Sequence, residues 1–260
     1  MEFLSKMWEI AVHYNGYFLS GVGYTMLIAL SGTIFGLLIG LLAGVIRTIP
    51  ARKTSLGRGI MKVVNLILTA YVEIFRGTPM MVQAMVIYWG YAFMNDGNTL
   101  PLIPAGIFIV SINTGAYMAE IVRGGIISID RGQTEAAYSI GMTHLQTMLH
   151  VVLPQTMRNI LPAISNEFVI NIKDTSVLNV IGVTELYFFT AKVNKMTWAI
   201  FQTFLVSCII YFILTFTVTR ILRLIERKLD GPGNYILHQS STMPNTTYIE
   251  KEAVNDGEHS

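Results

Sequence analysis

Glu167, Asn171 and Asp174 recur at i, i+4 and i+7 in "NEFVINIKD", so a helix lines two carboxylates and an amide along one face. An acid in apolar surroundings needs a cation, a donor or water. Glu167 lies about 20 Å beyond Pro154 along such a helix, where it could hold an ammonium group or pair with a basic side chain. Arg76 is one such partner. It stands in "EIFRGTPMMVQ", where Gly77 is flexible, Pro79 disfavours helix at Thr78, and Thr78 with Pro79 suits the start of a new helix. The freed N-terminus would offer N–H groups and a positive dipole to a carboxylate. Arg76 could instead snorkel to the surface or pair with Glu73. Gln83 reads as a polar lining residue or as half of an interhelical hydrogen bond. Asn113, Tyr117 and Glu120 repeat the same helical face, Asn113 near mid-depth and Glu120 near one end, within reach of Arg123. These groups can recognise charge at both ends of a small solute, or neutralise one another.

Other chemistries lack their residues. There is no G-x-x-x-x-G-K-[ST] phosphate loop, no H-E-x-x-H and no G-x-S-x-G. His144 and His150 have no further ligands beside them for a metal. Cys208, the single cysteine, sits in an apolar run and is expected to be a small buried hydrophobe.

The elements that position these residues follow from composition. Of 260 residues 52% are hydrophobic and 13% charged, far too apolar for an ordinary soluble domain, and a net charge of +2 gives no reason to expect nucleic acid. The chain reads as an all-α integral membrane protein. Apolar runs near the length of a crossing extend from about Tyr17 to Ile46, Ile60 into the eighties, Pro104 to Val122, Pro154 to about Ile172, and Thr197 to Thr219, giving about five spans. The second, from Ile60 to Met94, would be about 50 Å long as one straight helix, so it must break at "RGTP". Pro162 is expected to kink the fourth. Arg47, Arg52, Lys53, Arg58 and Lys62 stand between the first two spans without an acid, which puts that loop in the cytoplasm. Alternation then puts the N-terminus outside, and the Arg123–Pro154 loop and the basic end at Arg220, Arg223, Arg227 and Lys228 inside. Between Lys173 and Lys195 the stretch "SVLNVIGVTELYFFT" is expected to dip back against protein.

Residues 1–16 lack the pattern of a secretory signal and are expected to be retained as an interfacial segment, with Phe3, Leu4, Met7, Trp8 and Ala11 on one stripe. The membrane domain covers 17–229. Residues 230–260 are polar, broken by Gly231, Pro232 and Gly233, and read as a disordered cytoplasmic tail.

One polar segment, "DRGQTEAAYSIGMTHLQTMLHVVLP", the loop 130–154, interrupts this apolar pattern. Asp130 with Gln133 and Thr143 with Gln146 each have capping-box spacing, so two short helices should meet near Gly141, which permits a sharp bend. Ala136 and Ala137 leave a low surface for another protein, and Pro154 suits the first turn of the next helix.

The order Glu135-Ala136-Ala137, three residues, Gly141, nine residues, Val151, one residue, Leu153-Pro154 resembles the EAA signature of the permease subunits of binding-protein-dependent ABC importers. Val151 stands where isoleucine is usual. "EIFRGTPMMVQ", "AYMAEIVRGGIISIDRGQTEAA" and "KDTSVLNVIGVTEL" look like the polar amino-acid branch, the histidine/glutamine/arginine-type permeases, and the resemblance covers roughly Tyr17 to Lys228. It implies a MetI-like permease fold in a prokaryotic cell membrane, crossing it several times. It implies that the loop is a coupling helix seated on a cytoplasmic ATPase through Glu135, Ala136, Ala137, Gly141, Leu153 and Pro154. It also implies two ATPase subunits that bind the ATP and Mg2+, a second permease subunit, identical or paralogous, and an extracytoplasmic amino-acid-binding protein. This chain would then hold no cofactor and catalyse nothing. A gradient-driven carrier or passive channel, with the buried carboxylates as ion sites, is the alternative; an exporter of the same architecture fits the signature less well.

Overall fold

In the computed structural model the described residues are 2–49 and 55–230. Arg52, Lys53 and the tail expected to be disordered from Gly231 onward lie outside them. The helices are α1 (Glu2–His13), α2 (Asn15–Thr48), α3 (Ser55–Gly77), α4 (Met80–Met94), α5 (Leu102–Ile127), α6 (Arg131–Ser139), α7 (His144–Thr147), α8 (Leu153–Asp174), α9 (Leu186–Thr197) and α10 (Ile200–Asp230). A π-turn, Met148–Val152, joins α7 to α8, and a 3₁₀ turn, Thr175–Ile181, follows α8.

The bundle is organised on α2 and α5, its most extensive helix pair. Gly32, Gly36, Gly40 and Gly44 of α2 meet Val110, Thr114, Met118 and Val122 of α5 in turn, so the two helices run parallel in constant register. Without Cβ atoms on α2, the backbones approach closely enough for dispersion and packing to hold them where no hydrophobic drive exists. A parallel pair requires the intervening chain to return across the bundle, and α3 with α4 does so. The return is broken at "RGTP" as expected, but Thr78 does not cap the new helix. Pro79 occupies that position, and the Thr78 hydroxyl donates back to the Ile74 carbonyl at 2.8 Å, satisfying an acceptor left over at the end of α3.

On length and apolarity α2, α5 and α10 can each cross a membrane, while α4 is apolar but shorter. The two expected spans that fall short, α3 and α8, are those that carry Arg76 and Glu167. The α10 helix begins three residues later than expected, because Trp198 takes a left-handed φ of 51° at the end of α9, and then runs on through its basic residues. Cys208 departs from expectation: it is exposed, on the outward face of α10. The stretch after α8 does fold back against protein, with Leu178, Val183 and Leu186 fully buried. Two cores result. One gathers Ile28, Tyr88, Ile109 and Leu178 of α2, α4, α5 and the 3₁₀ turn; the other joins Ile10, Phe18, Val193 and Val206 of α1, α2, α9 and α10. In α1, Met7, Ile10 and Ala11 pack inward while Leu4 and Trp8 stay exposed.

Candidate functional site

The loop between α5 and α8 is a built structure. Asp130 caps α6 by accepting the Gly132 N–H at 2.7 Å; because it reaches Gly132 and Gln133 returns no bond, the first expected capping box does not form. The second does, with Thr143 Oγ1 accepting from Gln146 N and Gln146 Oε1 accepting from Thr143 N at 2.9 Å. Between them Gly141 has φ +83°, and the Gly141 and Met142 N–H groups donate to the carbonyls of Tyr138 and Ala137, which closes α6 and turns the chain. Tyr138 Oη and His144 Nδ1, 3.0 Å apart, bridge the bend. Pro154 lies in the first turn of α8. Beneath the loop, residues including Ile126, Thr134, Met148 and Val152 enclose a cavity of about 240 Å³. Glu135, Ala136, Gly141 and Pro154 are exposed and Leu153 is half-buried. Ala137 differs from expectation. It is 4% exposed, on the inward side of α6, so the low outer surface is made by Ala136 alone.

The second group of residues lies where α3 breaks. Gln83 Nε2 approaches the carbonyls of Phe75 and Thr78, both at 2.9 Å, and thereby ties the loose end of α3 to the first turn of α4. Its Oε1 accepts from Asn113 Nδ2 of α5 at 2.8 Å, the interhelical bond that was one of its two readings. Arg76 does not pair with Glu73. Its guanidinium stands 5.4 Å above the centre of the Tyr117 ring, a cation–π arrangement across α3 and α5. Asn171 is buried, its Nδ2 donating to Thr33 Oγ1 at 2.8 Å and its Oδ1 accepting from Thr114 Oγ1 at 3.1 Å, so one amide fastens α8 to α2 and α5. Its neighbours on that face differ. Glu167 is half-buried and, among the described residues, forms neither a hydrogen bond nor an ion pair, yet it lies within electrostatic range of Arg76 and of the exposed Asp174. The structure thus gathers Arg76, Tyr117, Gln83, Asn113 and Thr78 at the helix break and brings Glu167 near their charge.

Toward the other end of α5, Glu120 pairs with Arg123 at 2.9 Å, as its spacing suggested, and with Arg47 of α2, which sequence reading did not connect to it. His150 Nδ1 bonds the Gln146 carbonyl, and Arg158 is exposed.

Sequence reading also missed Glu185. This carboxylate is fully buried, caps α9 by accepting the N–H groups of Tyr187 and Phe188 at 2.9 and 2.8 Å, and accepts the Tyr211 hydroxyl of α10 at 2.9 Å. The adjacent Leu186 N–H donates to Thr25 of α2. The rule that flags Glu167, an acid in an apolar run, flags Glu185 equally. Removing the acceptor strands three donors, so Glu185→Ala is expected to destabilise the chain by about 3 kcal/mol, with Tyr211→Phe costing about 1 kcal/mol. Thermal unfolding of the purified full chain in detergent checks both; equal melting temperatures for wild type and Glu185→Ala would contradict the capping role.

Comparison with known proteins gives a consistent result. Residues 36–231 match the family described as binding-protein-dependent transport system inner membrane component. The L-cystine transport system permease protein TcyB of Bacillus subtilis is 34% identical over 211 residues, 81% of this chain and 85% of that protein. The glutamine transport system permease protein GlnP of Escherichia coli is 33% identical over 211 residues, 81% of this chain and 92% of that one. A crystal structure of an amino acid ABC transporter with histidines is 36% identical, covers 88% of this chain and 99% of its own, and superposes with a TM-score of 0.74.

Proposed function

This chain belongs to the family of binding-protein-dependent transport system inner membrane components, the permease subunits of ABC importers, and we propose that it translocates a polar L-amino acid. In this reading an extracytoplasmic binding protein delivers the solute, two cytoplasmic ATPase subunits bind ATP and Mg2+, and a second permease subunit, identical or paralogous, completes the pathway. The chain crosses the prokaryotic cell membrane five times, counting α3 with α4 as one crossing, with the 130–154 loop inside. Glu135, Ala136, Gly141, Leu153 and Pro154 form the surface that meets the ATPase, and Ala137 supports it from within. ATP-driven closure of the ATPases is transmitted through this loop to α5 and α8, which turns the cavity outward, and hydrolysis returns it inward.

The observation that carries the substrate class is the pair of opposite charges Arg76 and Glu167, near each other and joined by no ion pair. A zwitterion complements both, its carboxylate toward Arg76 and the start of α4, its ammonium group toward Glu167 and Asp174. Tyr117 holds the guanidinium in place, while Thr78, Gln83, Asn113 and Asn171 fix the surrounding wall. The test is uptake of labelled amino acids into proteoliposomes holding this chain, its ATPase and its binding protein, with and without internal ATP. ATP-dependent uptake of one polar amino acid, reduced at least about tenfold by Arg76→Gln or Glu167→Gln, is the expected result. ATP-independent flux through the chain alone would replace this reading with the gradient-driven carrier.

A further inference from the structure

The 12 residues of α1 divide by helical spacing into three stripes. Phe3, Met7, Ile10 and Ala11 turn toward the bundle: Met7, Ile10 and Ala11 join the core that holds Phe18, Val193 and Val206, and the Phe3 ring lies 5.6 Å from that of Phe201. Glu2, Lys6, Glu9 and His13 form a polar stripe, all of it exposed. Between the two run Leu4, Trp8 and Val12, at every fourth position, apolar yet 68%, 73% and 51% exposed. The apolar arc of α1 is therefore wider than the part the protein covers. A helix built this way meets protein, an apolar medium and water in turn, which the edge of a bilayer supplies.

The position of α1 agrees. One end leads through Tyr14 into α2, and the other rests on Phe201 in the first turn of α10. Both of those helices can cross a membrane, so α1 runs along the boundary where two crossings begin and not across the bilayer. At 34 residues α2 is about 50 Å long against about 30 Å of hydrocarbon, so its first turns stand among headgroups. The side chains at that level match. Lys192 of α9 is exposed, its ammonium group 4.9 Å from the centre of the Tyr17 ring, and Lys195 is exposed one turn later. Trp198, just before α10, is 89% exposed at a left-handed φ of 51°, which asparagine or glycine adopts more readily. Exposed tryptophan beside tyrosine and lysine is the composition of a membrane–water interface.

We propose that α1 is an interfacial anchor, lying flat in the headgroup layer of the outer leaflet with Leu4, Trp8 and Val12 toward the acyl chains and Glu2, Lys6, Glu9 and His13 toward water. The leaflet follows from Arg47, which stands at the opposite end of α2, on the side that the basic residues assign to the cytoplasm. What the anchor secures is α10. Of the three helices able to cross a membrane among the described residues, α10 is the least buried within the chain, so little protein fixes its depth. Through Phe3 on Phe201, α1 ties the start of α10 both to the lipid surface and to the start of α2.

The test places nitroxide labels on the full chain in phosphatidylcholine vesicles, after Cys208→Ser has removed the native, exposed thiol. Leu4→Cys, Trp8→Cys and Val12→Cys are compared with Lys6→Cys and Glu9→Cys. Depth is read from collisions with oxygen, which concentrates in lipid, against those with a water-soluble nickel chelate. Labels replacing Leu4, Trp8 and Val12 are expected about 5–10 Å below the phosphates, and those replacing Lys6 and Glu9 within reach of the nickel chelate. Trp8 itself gives a second reading that leaves α1 unaltered. With Trp89→Phe and Trp198→Phe in place, a lipid brominated near the headgroup end of its acyl chain should quench Trp8 fluorescence more than aqueous iodide does. Equal nickel access at every labelled position, or quenching by iodide alone, would overturn the proposal. Labels replacing Leu4, Trp8 and Val12 that neither oxygen nor nickel reaches would overturn it as well, and would assign the stripe to a protein contact.

Discussion

Glu135→Lys is expected to reduce ATP-dependent uptake by more than about tenfold, the scale set by losing one charge of an interfacial pair and opposing the other, while the chain still folds and inserts. The expectation rests on what Glu135 lacks inside the chain. Its side chain is exposed on α6 and makes no hydrogen bond or ion pair among the described residues; only its carbonyl is used, by Ser139. Exposed substitutions of that kind usually change stability by under about 0.5 kcal/mol. A large functional loss from a side chain the fold does not need must then arise at the surface it presents. Gly141→Leu separates the two contributions differently. At φ +83° a residue with a Cβ costs about 1–2 kcal/mol, although open space surrounds the position, so this variant should be both less stable and uncoupled because the angle between α6 and α7 shifts. Uptake assays paired with co-purification of the ATPase read both. Undiminished uptake by Glu135→Lys, with assembly intact, would remove the coupling role from this loop.

The loop was legible because its signals are local. Caps, a left-handed glycine and a proline in the first turn act within a few residues of one another, and the structure realises most of them; the lapse at Asp130 came from an oxygen that could reach Gly132 as readily as Gln133. The break at "RGTP" was legible for the same reason. What sequence did not reveal are bonds set by the distance between helices. Gln83 and Asn171 are both buried, but whether an amide lines a cavity or closes a wall depends on what stands opposite: Asn113 for the first, Thr33 and Thr114 for the second. Glu120 found Arg47, seventy-three residues earlier, because α2 and α5 run parallel and end together. Cys208 was misjudged because an apolar run in a membrane helix says nothing about which side faces protein: with lipid as the solvent, outward and inward residues have the same hydrophobicity.

The same ambiguity conceals the strongest packing signal in the chain, and it yields a prediction with a sign change along one helix. Gly32, Gly36, Gly40 and Gly44 repeat every four residues, a period that marks a stripe for close approach. A Cβ at Gly40 would lie 2.3 Å from Met118 Cβ, 2.8 Å from the Met118 carbonyl carbon and 2.9 Å from the Ala119 nitrogen, so the backbone of α5 itself must move. That movement is resisted on both sides, by Asn171 bridging Thr33 and Thr114 and by Glu120 holding Arg47. Gly40→Ala is therefore expected to lower stability by about 2 kcal/mol, and Gly40→Leu to leave little folded chain to purify. Gly23, on the same helix, has nothing within 4 Å of its would-be Cβ, so Gly23→Ala should be neutral or stabilising by up to about 1 kcal/mol through helix propensity. Thermal unfolding of the three variants beside the wild type in one detergent decides the matter. If Gly40→Ala melts with Gly23→Ala, then α2 and α5 are not held by close backbone approach, and the parallel register that lets Asn171 bridge Thr33 and Thr114 loses its foundation.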